Sequence, residues 1–280
     1  MQDIKKLNLK ITRLVDSLFV GNYKTAFKGR GLEFSDYRPY DENDDAKYID
    51  FLASAREGKL LIKRFEEERE LSVFFLLDLS ESLNFGQEKT KIDTLIETFY
   101  ILSYSAIKNN DKIGSIIFDD NGFEVIKLGK GIKTISKILE IIKQKNIKKT
   151  KNFEINNMIG FFNNLPIKNS LIFLLTDKMG EITDKNLKIL SLKNDFIYIN
   201  IFDYIENNLL DENGIFRLKN SIKTFFINLA NKQKVLKYRE LRNFKINEFK
   251  AKLNKYKIGY LLIDNKTNIF AKLLTFFKNR

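Results

Sequence analysis

Four segments of strand length, all rich in apolar residues, constrain the fold of this chain more than any other feature. They are Leu71–Leu77, Ile113–Phe118, Leu171–Leu175 and Phe196–Phe202. Near-continuous apolar runs of this length are typical of parallel strands that are buried on both faces. Segments with helical spacing of apolar residues separate them, at about 88–109, 132–143, 155–164 and 184–192. Strands that alternate with helices predict an α/β protein with a doubly wound, mostly parallel sheet.

The pattern divides the chain into three parts without a flexible linker between them. Residues 1–70 form an N-terminal block, which begins with a predicted amphipathic helix at 1–22 and is expected to pack on the core. Residues 71–205 form the α/β core. Residues 206–280 form an extension with a strand at Thr224–Leu229, a basic helix at Lys232–Lys255 and a strand at Tyr260–Ile263. We expect this extension to complete the same sheet or to form a cap on it.

Composition limits the chemistry that the chain can perform. The sequence contains no cysteine and no histidine, which excludes disulfides, thiol nucleophiles, Cys/His zinc sites and histidine-based triads. The remaining ligands are oxygen atoms, which suit hard cations such as Mg²⁺, Mn²⁺ and Ca²⁺. The longest apolar runs are too short to cross a bilayer, and the N-terminus does not resemble a signal peptide. We therefore expect a cytoplasmic protein without a transmembrane segment.

Polar residues follow two of the apolar strands. Asp78, Ser80 and Ser82 come directly after the first strand, and Asp177 follows the strand Leu171–Leu175. Because ligands of open α/β sheets bind beyond the carboxyl ends of the strands, these side chains are expected to converge on one cation. Thr150 precedes a predicted helix and can add a third hydroxyl. The alternative is that Asp78 and the two serines only cap a helix. We expect Asp78 to face solvent, so that its replacement by alanine leaves no cavity.

These residues resemble the metal-ion-dependent adhesion site of von Willebrand factor A domains, which is D-x-S-x-S with a later Thr and Asp. The resemblance implies that Asp78, Ser80, Ser82, Thr150 and Asp177 bind Mg²⁺ or Mn²⁺, with Ca²⁺ as a further option. It also implies that a carboxylate of a protein partner completes the coordination shell.

A longer resemblance lies upstream. Gly29–Tyr40, Asn43–Phe51 and Ala53–Gly58 are similar to the signature of the family called domain of unknown function fifty-eight. That family pairs such a block with a von Willebrand factor A-like core, and its members are often encoded beside MoxR-type AAA+ ATPases. The resemblance therefore implies a non-enzymatic adaptor that works with such an ATPase in the assembly or maturation of a protein complex. The charged residues of the block, such as Arg38, Asp44 and Asp50, are expected to form salt bridges that tie it to the core.

Two other functions remain open at this stage. The formal net charge of +13 and the ten basic residues within 231–260 are compatible with nucleic-acid binding, although no recognised nucleic-acid motif accompanies them. Asp78 at a strand end also resembles the nucleophile of phosphate-transferring enzymes, but Ser80 replaces the second carboxylate of their D-x-D arrangement. Such an enzyme would have to rely on metal-bound water.

Overall fold

The computed structural model describes residues 32–42, 44–67, 70–86, 88–119, 122–144, 154–180, 182–208, 215–219 and 224–280. The helix predicted at 1–22 and the predicted ligand Thr150 lie outside these residues. The strands are β1 (Leu32–Pro39), β2 (Leu61–Glu67), β3 (Ser72–Asp78), β4 (Lys112–Asp119), β5 (Gly122–Gly129), β6 (Leu171–Thr176), β7 (Asp195–Phe202), β8 (Ile215–Lys219), β9 (Thr224–Asn228) and β10 (Gly259–Asp264). The helices are α1 (Phe51–Glu57), α2 (Lys91–Lys108), α3 (Ile132–Gln144), α4 (Ile155–Asn164), α5 (Asp184–Lys193), α6 (Tyr204–Asn207), α7 (Lys232–Lys255) and α8 (Ile269–Lys278).

Six strands form the central sheet, in the order β10-β7-β6-β3-β4-β5. Every neighbouring pair is parallel except β4 and β5, which are antiparallel. The chain moves from β3 outward to β4 and β5, then returns to the other side of β3 to build β6, β7 and β10. This confirms the predicted doubly wound, mostly parallel sheet. The direction of winding reverses between β3 and β6, which is the position where such sheets bind ligands.

Helices cover both faces of the sheet, and the side chains of each strand alternate between the two faces. In β3, Phe75 and Leu77 belong to a cluster that includes buried residues of α2, α3 and α8. Phe74 and Leu76 belong to a second cluster on the other face, with α4, α5 and α7. The continuous apolar sequence of β3 is therefore explained by burial on two sides rather than one.

The C-terminal extension resolves into two parts. β10 pairs in parallel with β7 and so adds the outermost strand to the central sheet. β8 and β9 instead form a separate antiparallel pair. The extension thus contributes directly to the sheet, which was one of the two predicted alternatives.

The sequence pattern of the N-terminal block indicated a strand at Lys59–Arg64, which corresponds to β2, but it did not indicate β1 or α1. β1 and β2 pair in antiparallel fashion, and α1 lies between them in sequence. Asp50 caps α1, since its carboxylate accepts from the backbone N–H groups of Leu52 and Ala53. Gly58 ends the helix with a φ of 66°, a left-handed conformation that glycine adopts without strain. The many acidic residues of this segment concealed β1 from an analysis based on apolar periodicity.

Candidate metal centre at the sheet switch point

Asp78 lies at the carboxyl end of β3, where its carboxylate is held on both sides. The hydroxyl of Thr176, at the end of neighbouring β6, donates to Asp78 Oδ2 over 2.6 Å. The backbone N–H of Ser80 donates to Asp78 Oδ1 over 2.9 Å. Asp78 is 0% exposed, so the expectation that it faces solvent is wrong. The carboxylate is therefore part of the buried structure, with donors from the neighbouring strand β6 and from its own loop.

The two serine hydroxyls connect Asp78's loop to Asp177. Ser80 Oγ lies 3.1 Å from Ser82 Oγ, and Ser82 Oγ donates to Asp177 Oδ1 over 2.9 Å. Ser80 precedes the 3₁₀ turn Glu81–Asn84, but its side chain makes no capping hydrogen bond to that turn. The alternative that Ser80 only caps a helix is therefore not supported by its contacts. Four of the five predicted metal ligands lie together, and Thr150 is outside the described residues.

The oxygen atoms of this cluster suit a small divalent ion. An octahedral Mg²⁺ with bonds of about 2.0–2.1 Å places adjacent ligand oxygens about 2.9–3.0 Å apart. In this structure Ser80 Oγ lies 3.1 Å from Ser82 Oγ, which in turn lies 2.9 Å from Asp177 Oδ1. Within the part of the chain that the structure describes, no group of three or more carboxylates forms a metal site. An ion here would thus depend on two carboxylates and on hydroxyls, which is a weakly charged ligand set.

A buried lysine, which the sequence pattern did not indicate, completes the cluster. Lys91 is the first residue of α2, and its ammonium donates to Asp177 Oδ2 over 2.8 Å and to Glu206 Oε1 over 3.0 Å. The Lys91 side chain is only 7% exposed. Glu206 also accepts from Arg242 Nη2 over 2.8 Å. A continuous chain of charged contacts therefore runs from Asp177 to the long helix α7.

The charges of this cluster shift the pKa values of its members. Burial and the neighbouring Asp177 raise the pKa of Asp78. Burial disfavours the ammonium form of Lys91, but Asp177 and Glu206 outweigh that effect and raise its pKa. Burial also opposes ionisation of Glu206, yet Lys91 and Arg242 hold its pKa below the ordinary value. Lys91 and Glu206 are therefore charged partners at neutral pH, and each stabilises the charge of the other.

Side chains from β7 hold the loop that carries Asp177. Asn200 Nδ2 donates to the carbonyl of Lys178 over 3.1 Å and to that of Thr176 over 3.4 Å. The hydroxyl of Tyr198 donates to the same Lys178 carbonyl over 2.5 Å. Both side chains are buried. The position of Asp177 is thus fixed from the neighbouring strand, and these supporting residues gave no recognisable signal in the sequence.

The loop that leads to Lys91 is held from β10. Asn265, which follows β10, donates through Nδ2 to the carbonyl of Lys89 over 2.8 Å and to Asp203 Oδ2 over 2.7 Å. Its Oδ1 accepts from the backbone N–H of Tyr204 over 2.9 Å. The ends of β7 and β10 and the loop before α2 are therefore fixed to one another beside the cluster.

The ion pairs of the N-terminal block are internal to it. Arg38 binds Asp44 through two hydrogen bonds of 2.7 and 2.5 Å. Asp50 accepts from the Tyr37 hydroxyl over 2.9 Å and lies 3.1 Å from Lys63 Nζ. The expectation that these residues tie the block to the core does not hold for these contacts, which instead join β1, β2 and the start of α1.

The chain is similar in sequence to one known protein family and to several curated proteins. A family model described as "Protein of unknown function DUF58" matches residues 36–240. The uncharacterized protein Rv1480 of Mycobacterium tuberculosis is 24% identical over 115 residues, which cover 41% of this chain and 36% of that protein. An uncharacterized protein of Mycobacterium bovis, Mb1516, matches with the same figures. The chain therefore spans about a third of the length of the curated relatives that it matches.

Two solved structures are also similar to this chain. The von Willebrand factor A domain of SpRpn10 aligns with a TM-score of 0.46 at 13% identity, covering 74% of this chain and 94% of that one. An aerotolerance-related membrane protein from Bacteroides fragilis aligns with a TM-score of 0.41 at 17% identity, covering 75% and 100%. Among the described residues of the present chain, no helix is long and apolar enough to cross a membrane.

Proposed function

This chain belongs to the DUF58 family of proteins of unknown function, and on that premise we propose that it is a metal-dependent protein-binding adaptor. The observation that carries the proposal is the convergence of Asp78, Ser80, Ser82 and Asp177 at the switch point of the sheet. Two of their oxygen–oxygen separations, 3.1 and 2.9 Å, suit the shell of a small divalent ion.

Each residue of the site has a distinct part in this proposal. When bound, Mg²⁺ or Mn²⁺ supplies positive charge and an open coordination position for a carboxylate of the partner protein. Asp78 and Asp177 provide negative charge, while Ser80 and Ser82 provide hydroxyl oxygens. Thr176 and the backbone N–H of Ser80 hold Asp78 in one orientation. This preorganisation lowers the entropic cost of ordering the side chain when an ion binds. Thr150 is a further proposed ligand.

We propose an AAA+ ATPase of the MoxR type, or one of its client proteins, as the partner. One support is the extensive resemblance of the block Gly29–Gly58 to the signature of the family. The other support is the position of the site. Ser82 is exposed at the surface, so that a partner carboxylate can reach the oxygen cluster from solvent. Such an adaptor would act in the assembly or maturation of a protein complex.

Catalysis receives less support than binding from the same residues. The sequence offers no histidine or cysteine as a base or nucleophile. The carboxylate that phosphate-transferring enzymes place two residues after the first aspartate is replaced by Ser80, and Asp78 is enclosed by hydrogen bonds and fully buried. We therefore propose a non-enzymatic role, and steady hydrolysis of a phosphate ester that Asp78→Asn abolishes would contradict it.

Nucleic-acid binding has one specific observation in its favour. The solvent face of α7 carries Lys234, Lys237 and Lys245 beside Phe244, which is 67% exposed. A basic surface with an exposed aromatic ring is compatible with binding to single-stranded nucleic acid. Binding that weakens steeply with added salt and does not need Mg²⁺ would favour this second function over the adaptor.

A binding assay with a purified MoxR-type ATPase from the same organism tests the proposal directly. The chain is immobilised, and the ATPase is applied in Mg²⁺ and again in a chelator. Ser82→Ala removes one ligand oxygen, whereas Ser191→Ala removes a hydroxyl that bonds within α5 and serves as the control. We expect binding in Mg²⁺ that is lost in chelator and in Ser82→Ala but retained in Ser191→Ala. Binding that survives both treatments would place the interface elsewhere.

A further inference from the structure

Lys91 holds the same carboxylate that a metal ion would need. Its ammonium contacts Asp177 Oδ2 at 2.8 Å, while the hydroxyl of Ser82 contacts Asp177 Oδ1 at 2.9 Å. Both oxygens of Asp177 thus have donors in this structure, one from a proposed ligand and one from a buried cation. Neither the family description nor the sequence motif accounts for a lysine at this position.

We propose that Lys91 is a built-in cation of the site, which competes with a divalent ion for Asp177 and thereby keeps metal affinity low. The inference rests on the proposed function, since it concerns the same ligand set. It goes further by naming the residue that sets the affinity, and by assigning a role to the buried chain Lys91–Glu206–Arg242.

The placement of Lys91 indicates that its carboxylate partners hold it there. A positive charge in the first turn of a helix opposes the helix dipole, and a buried ammonium without partners is strongly disfavoured. Lys91 nevertheless occupies the first position of α2 with a side chain that is only 7% exposed. Its two carboxylate contacts are therefore the interactions that offset both costs.

Glu206 gives the ammonium an alternative partner when an ion engages Asp177. The contact of Lys91 Nζ with Glu206 Oε1 is 3.0 Å, and Glu206 is itself held by Arg242 Nη2 at 2.8 Å. An ion that draws Asp177 away therefore leaves Lys91 with one intact ion pair rather than none. Exchange between ammonium and metal is possible within the buried cluster without exposing an unpaired charge.

Metal titration of two lysine variants tests the proposal. Lys91→Met keeps an unbranched side chain, one atom shorter than that of lysine, and removes its charge. Lys108→Met makes the same change at the other end of α2, where the side chain is exposed, and is the matched control. By calorimetry with MnCl₂, we expect Lys91→Met to bind Mn²⁺ about tenfold or more tightly than the wild type. Lys108→Met should bind like the wild type. Equal or weaker binding by Lys91→Met would overturn the inference.

Thermal melting provides a second readout that does not depend on affinity alone. Without Lys91, the carboxylates of Asp177 and Glu206 lose a buried partner, so Lys91→Met should melt at a lower temperature than the wild type in chelator. Added Mn²⁺ should raise its melting temperature by more than it raises that of the wild type. If Lys91→Met does not fold, Lys91→Gln serves the same comparison, because its amide can still donate to Asp177.

Competition between ammonium and metal can also be observed in the wild-type protein. The Nζ–H groups of a buried, hydrogen-bonded lysine are detectable by ¹⁵N NMR. Titration of the wild type with Mg²⁺ should move the Lys91 signal, which is assigned by its absence in Lys91→Gln. A Lys91 signal that stays fixed while Mg²⁺ binds would show that ammonium and metal do not compete.

The outcomes separate this inference from the proposed function. Metal binding by the wild type that Lys91→Met leaves unchanged would retain the adaptor proposal and reject the competition. Metal binding by Lys91→Met but not by the wild type would support the competition and contradict metal-dependent binding in the native protein. Absence of binding in both proteins would reject both.

Discussion

Thr176 and Asp78 are joined across two neighbouring parallel strands by a hydrogen bond of 2.6 Å between residues that lie 98 positions apart in sequence. Both side chains are fully buried. This bond connects the ends of β3 and β6 at the point where the winding of the sheet reverses. The orientation of the Asp78 carboxylate therefore depends on correct pairing of the central strands.

Thr176→Val should destabilise the fold even in the absence of metal. The substitution preserves shape but removes the hydroxyl, so that Asp78 Oδ2 loses this donor and the backbone N–H of Lys178 loses this acceptor. An unsatisfied buried polar group costs about 1–3 kcal/mol, which we expect to measure by urea denaturation in chelator. Thr275→Val removes an exposed hydroxyl on α8 and should change the free energy of unfolding far less. Equal stabilities for the two variants would show that the bond contributes nothing.

Ser82→Ala should weaken metal binding without unfolding the protein. Ser82 is exposed, so the loss of its hydroxyl opens no cavity, but the bridge between Ser80 Oγ and Asp177 Oδ1 is lost. We expect the affinity for Mn²⁺ to fall by about tenfold or more, measured by electron paramagnetic resonance of the free ion. The melting temperature in chelator should stay close to that of the wild type. Unchanged Mn²⁺ affinity would exclude Ser82 as a ligand.

Asp50 should make the stability of the N-terminal block depend on pH. Backbone donation from Ala53, together with Lys63 and Tyr37, lowers the pKa of Asp50 to about 2 in the folded protein. This pKa is lower than that of an aspartate in an unfolded chain, which is about 3.9. The ionised Asp50 therefore stabilises the fold fully only when the pH is above about 3.9. The contribution is lost as pH falls from about 4 towards 2.

The difference in unfolding free energy between the wild type and Asp50→Asn measures this contribution. It should be constant between pH 7 and pH 5 and should shrink progressively below pH 4. Urea denaturation at several pH values provides the comparison. A difference that does not change with pH would show that the contacts of Asp50 do not depend on its charge.

Limited proteolysis should yield no stable fragment that begins near residue 70. The backbone N–H of Leu71 donates to the buried Asp111 carboxylate over 2.8 Å, and Glu70 forms ion pairs with Lys112 and Lys130. These contacts hold the junction between the N-terminal block and the core, where a flexible linker would otherwise invite cleavage. Recovery of a folded fragment starting at this junction would show instead that the block is a separate domain.

Local patterns explain which parts of the fold and site were predictable. Asp78, Ser80, Ser82 and Asp177 directly follow apolar runs, and the parallel topology then brings the two strand ends together. The alternation of strands and helices along the chain follows from the same runs, whereas the order of the strands within the sheet was not predicted. In contrast, β1 contains the charged residues Glu33, Asp36 and Arg38 within a segment rich in acidic side chains, so apolar periodicity gave no indication of it.

The buried charges of the site could not be identified from sequence. Lys91 stands among polar residues at the start of a helix, where a lysine is ordinarily solvated. Its partners Asp177 and Glu206 lie 86 and 115 residues away, and only the packing of α2 against the ends of β6 and β7 brings them together. The burial of Asp78 was missed for the same reason, since its partner Thr176 lies 98 residues away in sequence.

The contact of Asn265 with the carbonyl of Lys89 sets an order for events during protein synthesis. The two residues are 176 positions apart, and Asn265 directly follows β10, which comes last in sequence among the six strands of the sheet. The N-terminal end of a chain leaves the ribosome first, so the loop before α2 cannot be anchored in this way until Asn265 has been synthesised. A nascent chain can therefore build β3, β4 and β6 while the loop that leads to Lys91 still lacks its final support.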